Sequence, residues 1–206
     1  MRRHLIAGMG LLAVGAMILA GLNASATAAI TNTKHDFSAS GWNSNGEICQ
    51  PCHTPHNGNT TVEAPLWNHA LTTATFTPYS NAATLNATVG APAGISRLCL
   101  SCHDGSVALD SFGGATGTTT MLATAAGFVG LDLSNDHPIS FTYNAALVSA
   151  DGELNDPTAL PNLTLFGASA DQVECATCHD VHDATYGKML AMSNAGSAMC
   201  LECHNK

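Results

Sequence analysis

Apolar residues are concentrated at the start of the chain and are spread thinly after it. An unbroken apolar stretch at residues 5–22 follows the basic start Met1-Arg2-Arg3-His4, and residues 24–28 contain two Ala-x-Ala sequences. This arrangement is typical of a secretory signal peptide, so we expect residues 1–28 to be removed from an exported protein. An uncleaved membrane anchor is the competing interpretation, because the stretch is near the lower length limit for a spanning helix.

The remaining sequence has little sustained helical or strand periodicity. Residues 57–98, 105–136 and 144–172 are rich in Thr, Asn, Ala, Gly and Ser, which predicts loops. Short helices are predicted around each of four cysteine-containing motifs and within residues 186–204. Alternation of apolar and polar residues over 139–143 predicts at most one short strand. The predicted fold is mostly coil, with a few short α-helices and minimal β structure.

Composition and charge exclude two broad classes of protein. The chain is 46% hydrophobic and 10% charged, with a formal net charge of −9, so it is too apolar for a disordered chain and too acidic for a nucleic-acid binder. The mature chain, residues 29–206, is more acidic still, and we expect no nucleic-acid partner and no membrane contact after cleavage. Aromatic residues make up only 5%, so something else is expected to fill the interior.

All eight cysteines fall in four copies of the sequence CxxCH, which we call the first to fourth motifs. CxxCH is the attachment sequence of c-type haem, in which two thiols bind one haem covalently and the adjoining histidine binds its iron. Zinc sites and disulfide scaffolds do not require a histidine directly after every second cysteine. The sequence therefore predicts four covalently bound haem c groups closely packed within the coil. The predicted thioether residues are Cys49 and Cys52, Cys99 and Cys102, Cys175 and Cys178, and Cys200 and Cys203, and the proximal iron ligands are His53, His103, His179 and His204.

The first and third motifs share a longer pattern. Residues 47–56 and 173–182 each read CxxCH followed by a second histidine three residues on, and each is followed by a plainer motif. The tetrahaem domain, residues 29–206, is therefore predicted to be a duplicated two-haem unit, with units at 29–130 and 131–206.

Distal iron ligands are predicted by counting the histidines outside the motifs. His56 and His182 are tethered too close to their own motifs to reach the far side of that iron, so each is predicted to bind a different haem. With His35 upstream in the first unit and His137 upstream in the second, each unit has enough histidines to complete two irons. His69 is then surplus. The competing interpretation of each is an ordinary surface or hydrogen-bonded histidine.

An iron bound by two histidines has no open position for a substrate and only gains or loses electrons. The predicted function is therefore electron transfer, and no enzymatic activity is expected. A multihaem reductase of an anionic substrate would need a five-coordinate iron and a cationic funnel, and the sequence indicates neither.

Several segments resemble the tetrahaem extracellular cytochromes of metal-reducing bacteria, of the outer-membrane cytochrome E-like type that polymerises into nanowires. They are the doubled motif pattern and residues 64–69, 99–105 and 136–141. The resemblance implies a filament of copies of this chain, located outside the cell or at its surface, that passes electrons to other redox proteins or external acceptors. It also implies distal ligation by His35, His56, His137 and His182. One distal ligand can then come from a neighbouring subunit, and His35, near the mature N-terminus, is the predicted donor.

A soluble periplasmic carrier of the cytochrome c3 type is the alternative, because it also holds four bis-histidine haems. Such carriers are usually shorter and often lysine-rich around the haem edges. The lysines of this chain are only Lys34, Lys188 and Lys206, and the filament is the favoured prediction.

Overall fold

A computed structural model describes residues 30–81 and 83–205. The predicted signal peptide, residues 1–28, lies outside the described residues. The described helices are α1 (Gly94–His103), α2 (Ala145–Asp151), α3 (Cys175–Cys178) and α4 (Ala198–Cys203), with 3-10 turns at Pro157–Ala159 and Ala195–Ser197, and the strands are β1 (Phe141–Thr142) and β2 (Gln172–Val173). The prediction of a mostly coil fold with a few short helices and minimal β structure is confirmed.

Three of the four motifs lie on helices, and the first does not. The second motif ends α1, the third begins α3 and the fourth ends α4. The predicted helix around the first motif is wrong, because the chain turns at Gly46 (φ +65°) and Pro51 has no N–H group for a helical hydrogen bond. The predicted helical region 186–204 is helical only near its end, because Lys188 and Met189 have left-handed backbone.

The segment 144–172 is not all loop as predicted, because it contains α2. The Asn144 side chain caps the start of α2 by accepting hydrogen bonds from the N–H groups of Ala146 (3.0 Å) and Leu147 (3.1 Å). Gly152 ends the helix with left-handed backbone (φ +77°). Both signals stand in the sequence, but the helix between them is two turns long and has little apolar periodicity.

The two strands pair antiparallel, with Phe141 opposite Val173. β1 confirms the short strand predicted within residues 139–143. Its partner β2 was not predicted, because two residues are too few to show periodicity. Tyr143 and Val173 pack with Leu147 of α2 into a small buried apolar cluster. None of the helices in residues 30–81 and 83–205 is long and apolar enough to cross a membrane.

Candidate haem sites

Each motif outside α1 contains a single turn with a helical hydrogen bond, and in the first motif this turn is isolated and not part of a helix. The N–H of the motif histidine donates to the carbonyl of the first cysteine: His53 to Cys49 at 2.8 Å, His179 to Cys175 at 3.0 Å and His204 to Cys200 at 2.9 Å. In such a turn, positions i, i+3 and i+4 lie on one face. Both thiols and the imidazole are therefore on the same side of the backbone, as attachment to a single haem requires.

The motif histidines are oriented by backbone carbonyls. The Nδ1 atoms of His53, His103 and His179 lie 2.7, 2.6 and 3.2 Å from the carbonyl oxygens of Pro65, Gly127 and Lys188, respectively. A histidine that donates its Nδ1–H to a carbonyl keeps the lone pair of Nε2 for a metal, which is the usual arrangement of histidine ligands. The residues present thus fit covalent haem with iron ligation through Nε2.

Within residues 30–81 and 83–205, imidazole rings meet in three pairs. The ring centroids are 5.9 Å apart for His35 and His103, 6.2 Å for His53 and His182, and 6.4 Å for His137 and His204. Two imidazoles bound on opposite sides of one metal ion, each with a metal–nitrogen bond of roughly 2 Å, place their centroids roughly 6 Å apart. Each pair joins one predicted proximal ligand to one predicted distal ligand.

The observed pairing differs from the prediction that each two-haem unit supplies all the iron ligands for its own two haems. His182 lies against His53, so a histidine of the second predicted unit faces the first motif. His56 and His179 belong to none of the three pairs, and His56 is exposed. This pairing between the two units could not be predicted by counting, because the number of histidines matches the number of iron positions for several different pairings.

His35 lies inside its own chain rather than on a free terminal arm. Its Nδ1 is 2.7 Å from the sulfur of Met189, and its ring is close to His103. Burial, and to a smaller extent positive charge on His103, His179 and His182, lowers the pKa of His35 to about 4. The neutral form, which is the form that binds metals, is therefore favoured.

The surplus histidine, His69, has a structural environment. It is 4% exposed, with Nδ1 2.8 Å from the carbonyl oxygen of Ala70 and Nε2 3.1 Å from that of Ala108. A neutral imidazole carries one N–H, so His69 donates a hydrogen bond to one of these two carbonyls and is held as a hydrogen-bonding side chain in this structure.

Cysteine side chains of successive motifs lie near one another in space. Cys52 lies near Cys99 and Cys102, Cys99 lies beside Cys175, and Cys178 lies near Cys200 and Cys203. Burial raises the pKa of Cys52 to about 11 and is the main cause that raises the pKa of Cys102 to about 12. All eight thiols are free of disulfides.

The loops after the first and third motifs repeat one hydrogen-bonding pattern. After the first motif, the N–H of Thr54 donates to the carbonyl of Leu66 (2.9 Å) and the N–H of Asn68 donates to that of Cys52 (2.9 Å). After the third motif, the N–H of Asp180 donates to the carbonyl of Met189 (2.8 Å) and the N–H of Ala191 donates to that of Cys178 (2.9 Å). Leu66 and Met189 share left-handed backbone, with φ of +54° and +53°. The carbonyls that orient His53 and His179 come from these loops and could not be found from side-chain patterns.

The C-terminal segment of the chain matches a known family. Residues 168–206, which contain the third and fourth motifs, match the family model described as a doubled CXXCH motif. The match supports a multihaem c-type cytochrome that binds haem c covalently through its CxxCH motifs and transfers electrons. A comparison with curated proteins gives no significant match.

Proposed function

We propose that the chain conducts electrons through four bis-histidine c-type haems and that exported copies assemble into an extracellular filament. The observation that carries the electron-transfer part is the set of three imidazole pairs, each at the separation that one metal ion between them requires. Two histidines on every iron leave no position for a substrate, so the proposal includes no enzymatic turnover.

Different residues of the chain attach the haems and orient their histidine ligands. The motif cysteines hold the haems, and the carbonyls of Pro65, Gly127 and Lys188 fix the rotation and tautomer of three motif histidines. Haem c supplies reversible one-electron chemistry at its iron. The order of the thiols supports a path that runs through the motifs from the first to the fourth.

Two unpaired histidines support the assembly of copies. His179 of the third motif has no partner among the three ring pairs, and exposed His56 stands in the first-motif repeat where His182 stands in the third. We propose that His56 of one copy completes the iron held by the third motif of the next copy. In this proposal His56, and not His35, is the crossing ligand, meaning the distal ligand donated to a neighbouring copy, because the His35 ring already lies against His103 of its own chain. A contact between two different surfaces builds an open filament when its rotation does not close a ring.

The experiment uses the full gene expressed in a host that attaches haem c. N-terminal sequencing of the exported protein is expected to begin near residue 29, and its intact mass to include four haems. Electron microscopy of the purified protein is expected to show filaments of repeating subunits. Monodisperse monomers with entirely low-spin spectra would contradict the filament and indicate a periplasmic carrier instead.

The crossing ligand has its own test. The His56→Ala protein is expected to be monomeric with one high-spin haem, whereas the matched His69→Ala control still forms filaments. Filaments that persist in His56→Ala with all haems low-spin would exclude His56 as the ligand between copies.

A further inference from the structure

A reciprocal hydrogen-bonded joint holds the second and third motifs together. The N–H of Ser96 in α1 donates to Oε2 of Glu174 (3.1 Å), and the N–H of Cys175 in α3 donates to Oγ of Ser96 (2.9 Å). Helices begin with N–H groups that lack partners within the helix. Here each helix receives a cap from the other, and the residue before α1, Ala93, supplies no side-chain cap of its own.

The joint is packed closely enough to fix the carboxylate of Glu174. Gly94, the first residue of α1, has left-handed backbone (φ +48°), and a Cβ added there would lie 2.9 Å from Oε1 of Glu174. Ser96 is fully buried and Glu174 is 3% exposed. The carboxylate therefore has one position, directly between the start of α1 and the start of α3.

The charge of Glu174 is met only by neutral donors. Besides the Ser96 N–H, Oε2 accepts a hydrogen bond from Oγ of Ser140 (3.0 Å). Within residues 30–81 and 83–205, the ion pair that the structure shows joins His182 to Asp180, so Glu174 has no cationic partner in that part of the chain. A buried charge without a partner acts strongly on its surroundings, because little water screens it.

This carboxylate is adjacent to two haem-attachment sites at once. Glu174 directly precedes Cys175, whose side chain lies beside that of Cys99. The first cysteines of the second and third motifs therefore meet beside it. The exposed Glu47 lies two residues before the first motif and has no comparable environment.

We propose that Glu174 lowers the reduction potentials of the haems held by the second and third motifs relative to those at the first and fourth. Reduction adds one electron to one iron, from ferric to ferrous, without making or breaking a bond. The ferric iron carries one more positive charge, so a nearby buried carboxylate stabilises it and makes reduction harder. Electrons on a partly reduced chain then reside mainly at its two ends.

The inference rests on the proposed four-haem function, and a spectroelectrochemical titration of the haem-loaded protein tests it. Glu174→Gln keeps the side-chain size and an oxygen acceptor but removes the charge. Two of the four potentials are expected to rise, each by about tenfold in the reduction equilibrium constant, or about 59 mV for one electron. The other two are expected to stay in place.

Two control variants separate charge from structure. Glu47→Gln removes an exposed carboxylate and is expected to change every equilibrium constant less than twofold. Ser140→Ala removes a donor to Glu174 but keeps the charge, so no potential is expected to rise. Unchanged potentials in Glu174→Gln, or an equal rise in Ser140→Ala, would overturn the inference.

The mass of each protein distinguishes the two proposals. A wild-type chain without four haems contradicts the proposed function itself. A Glu174→Gln chain that has lost a haem, when the wild type has four, overturns the tuning role alone and assigns Glu174 to assembly.

Discussion

The imidazole rings of His53 and His182 lie 6.2 Å apart, with their planes at 25°. His53 belongs to the first CxxCH motif and His182 follows the third, so the pair joins the two predicted units of the duplicated chain. A helical turn presents His53 on the face that carries its cysteines, and His182 faces it from the other unit. Ligation across this pair would tie the two units to one haem.

Replacing His182 with alanine is expected to convert the haem of the first motif, and no other, to a five-coordinate high-spin state. The reason is that the structure pairs His182 with His53 and with no other motif histidine. Electron paramagnetic resonance and the charge-transfer absorption of the ferric protein measure the change. In the double variant His179→Ala/His182→Ala, two altered haems are expected. A single altered haem would show that His182 ligates the same haem as His179, which is the haem of the third motif.

Replacing His35 with alanine is expected to produce one additional high-spin haem, relative to wild type in the same state, in monomers as well as in assembled protein. His35 is packed against His103 and Met189 of its own chain, so dissociation should not remove it from its iron. The measurement is the high-spin fraction before and after dissociation into monomers. If wild-type protein itself gains that signal on dissociation and His35→Ala adds nothing further, the ligand crosses between copies after all.

Replacing His69 with alanine is expected to leave every haem low-spin and to lower the free energy of unfolding. The change removes the hydrogen bond of the buried imidazole, while the Ala108 carbonyl keeps the N–H of Ser111 (2.9 Å) as a donor. A hydrogen bond of this kind contributes about 0.5–1.5 kcal/mol. Denaturant unfolding followed at the haem absorption band measures the loss. A new high-spin band would contradict the structural role that the two carbonyl contacts give to His69.

The sequence determines the attachment chemistry far more completely than the pairing of ligands. The cysteines and histidines of CxxCH are covalently neighbouring, so their spacing alone places them on one face of a turn. Partners such as His182 for His53 are set by how loops fold back, and loops rich in Thr, Ala and Gly have no periodicity that fixes their path. The same limit applies to Pro65, Gly127 and Lys188, which act through backbone carbonyls, and any residue offers a carbonyl.

Some signals were present in the sequence but too weak to use. Asn144 and Gly152 bracket α2 with a cap at each end, yet a seven-residue helix with one buried leucine has no detectable apolar stripe. Glu174 stands beside a motif cysteine like any surface acid in a CxxCH protein. Its burial is visible only once α1 is packed against it.

Gly127 offers a prediction about the hydrogen bond that orients His103. The Gly127 carbonyl lies 2.6 Å from Nδ1 of His103, and a Cβ added to Gly127 would lie 3.1 Å from Cε1 and 3.3 Å from Nδ1 of that ring. Gly127→Ala should therefore push the imidazole and carbonyl apart. A donor hydrogen bond at Nδ1 increases the basicity of a histidine ligand and stabilises the oxidised metal, so weakening it should raise the potential of the second-motif haem.

The matched control is Gly90→Ala, because a Cβ at Gly90 meets no atom within 4 Å and the backbone there is not left-handed. A titration of potentials is expected to show one component raised in Gly127→Ala, with all haems still low-spin, and none moved in Gly90→Ala. That component should be one of the two that Glu174→Gln also raises, because both changes act at the second motif. A shift confined to a component that Glu174→Gln leaves unmoved would mean that one of the two residues has been assigned to the wrong haem.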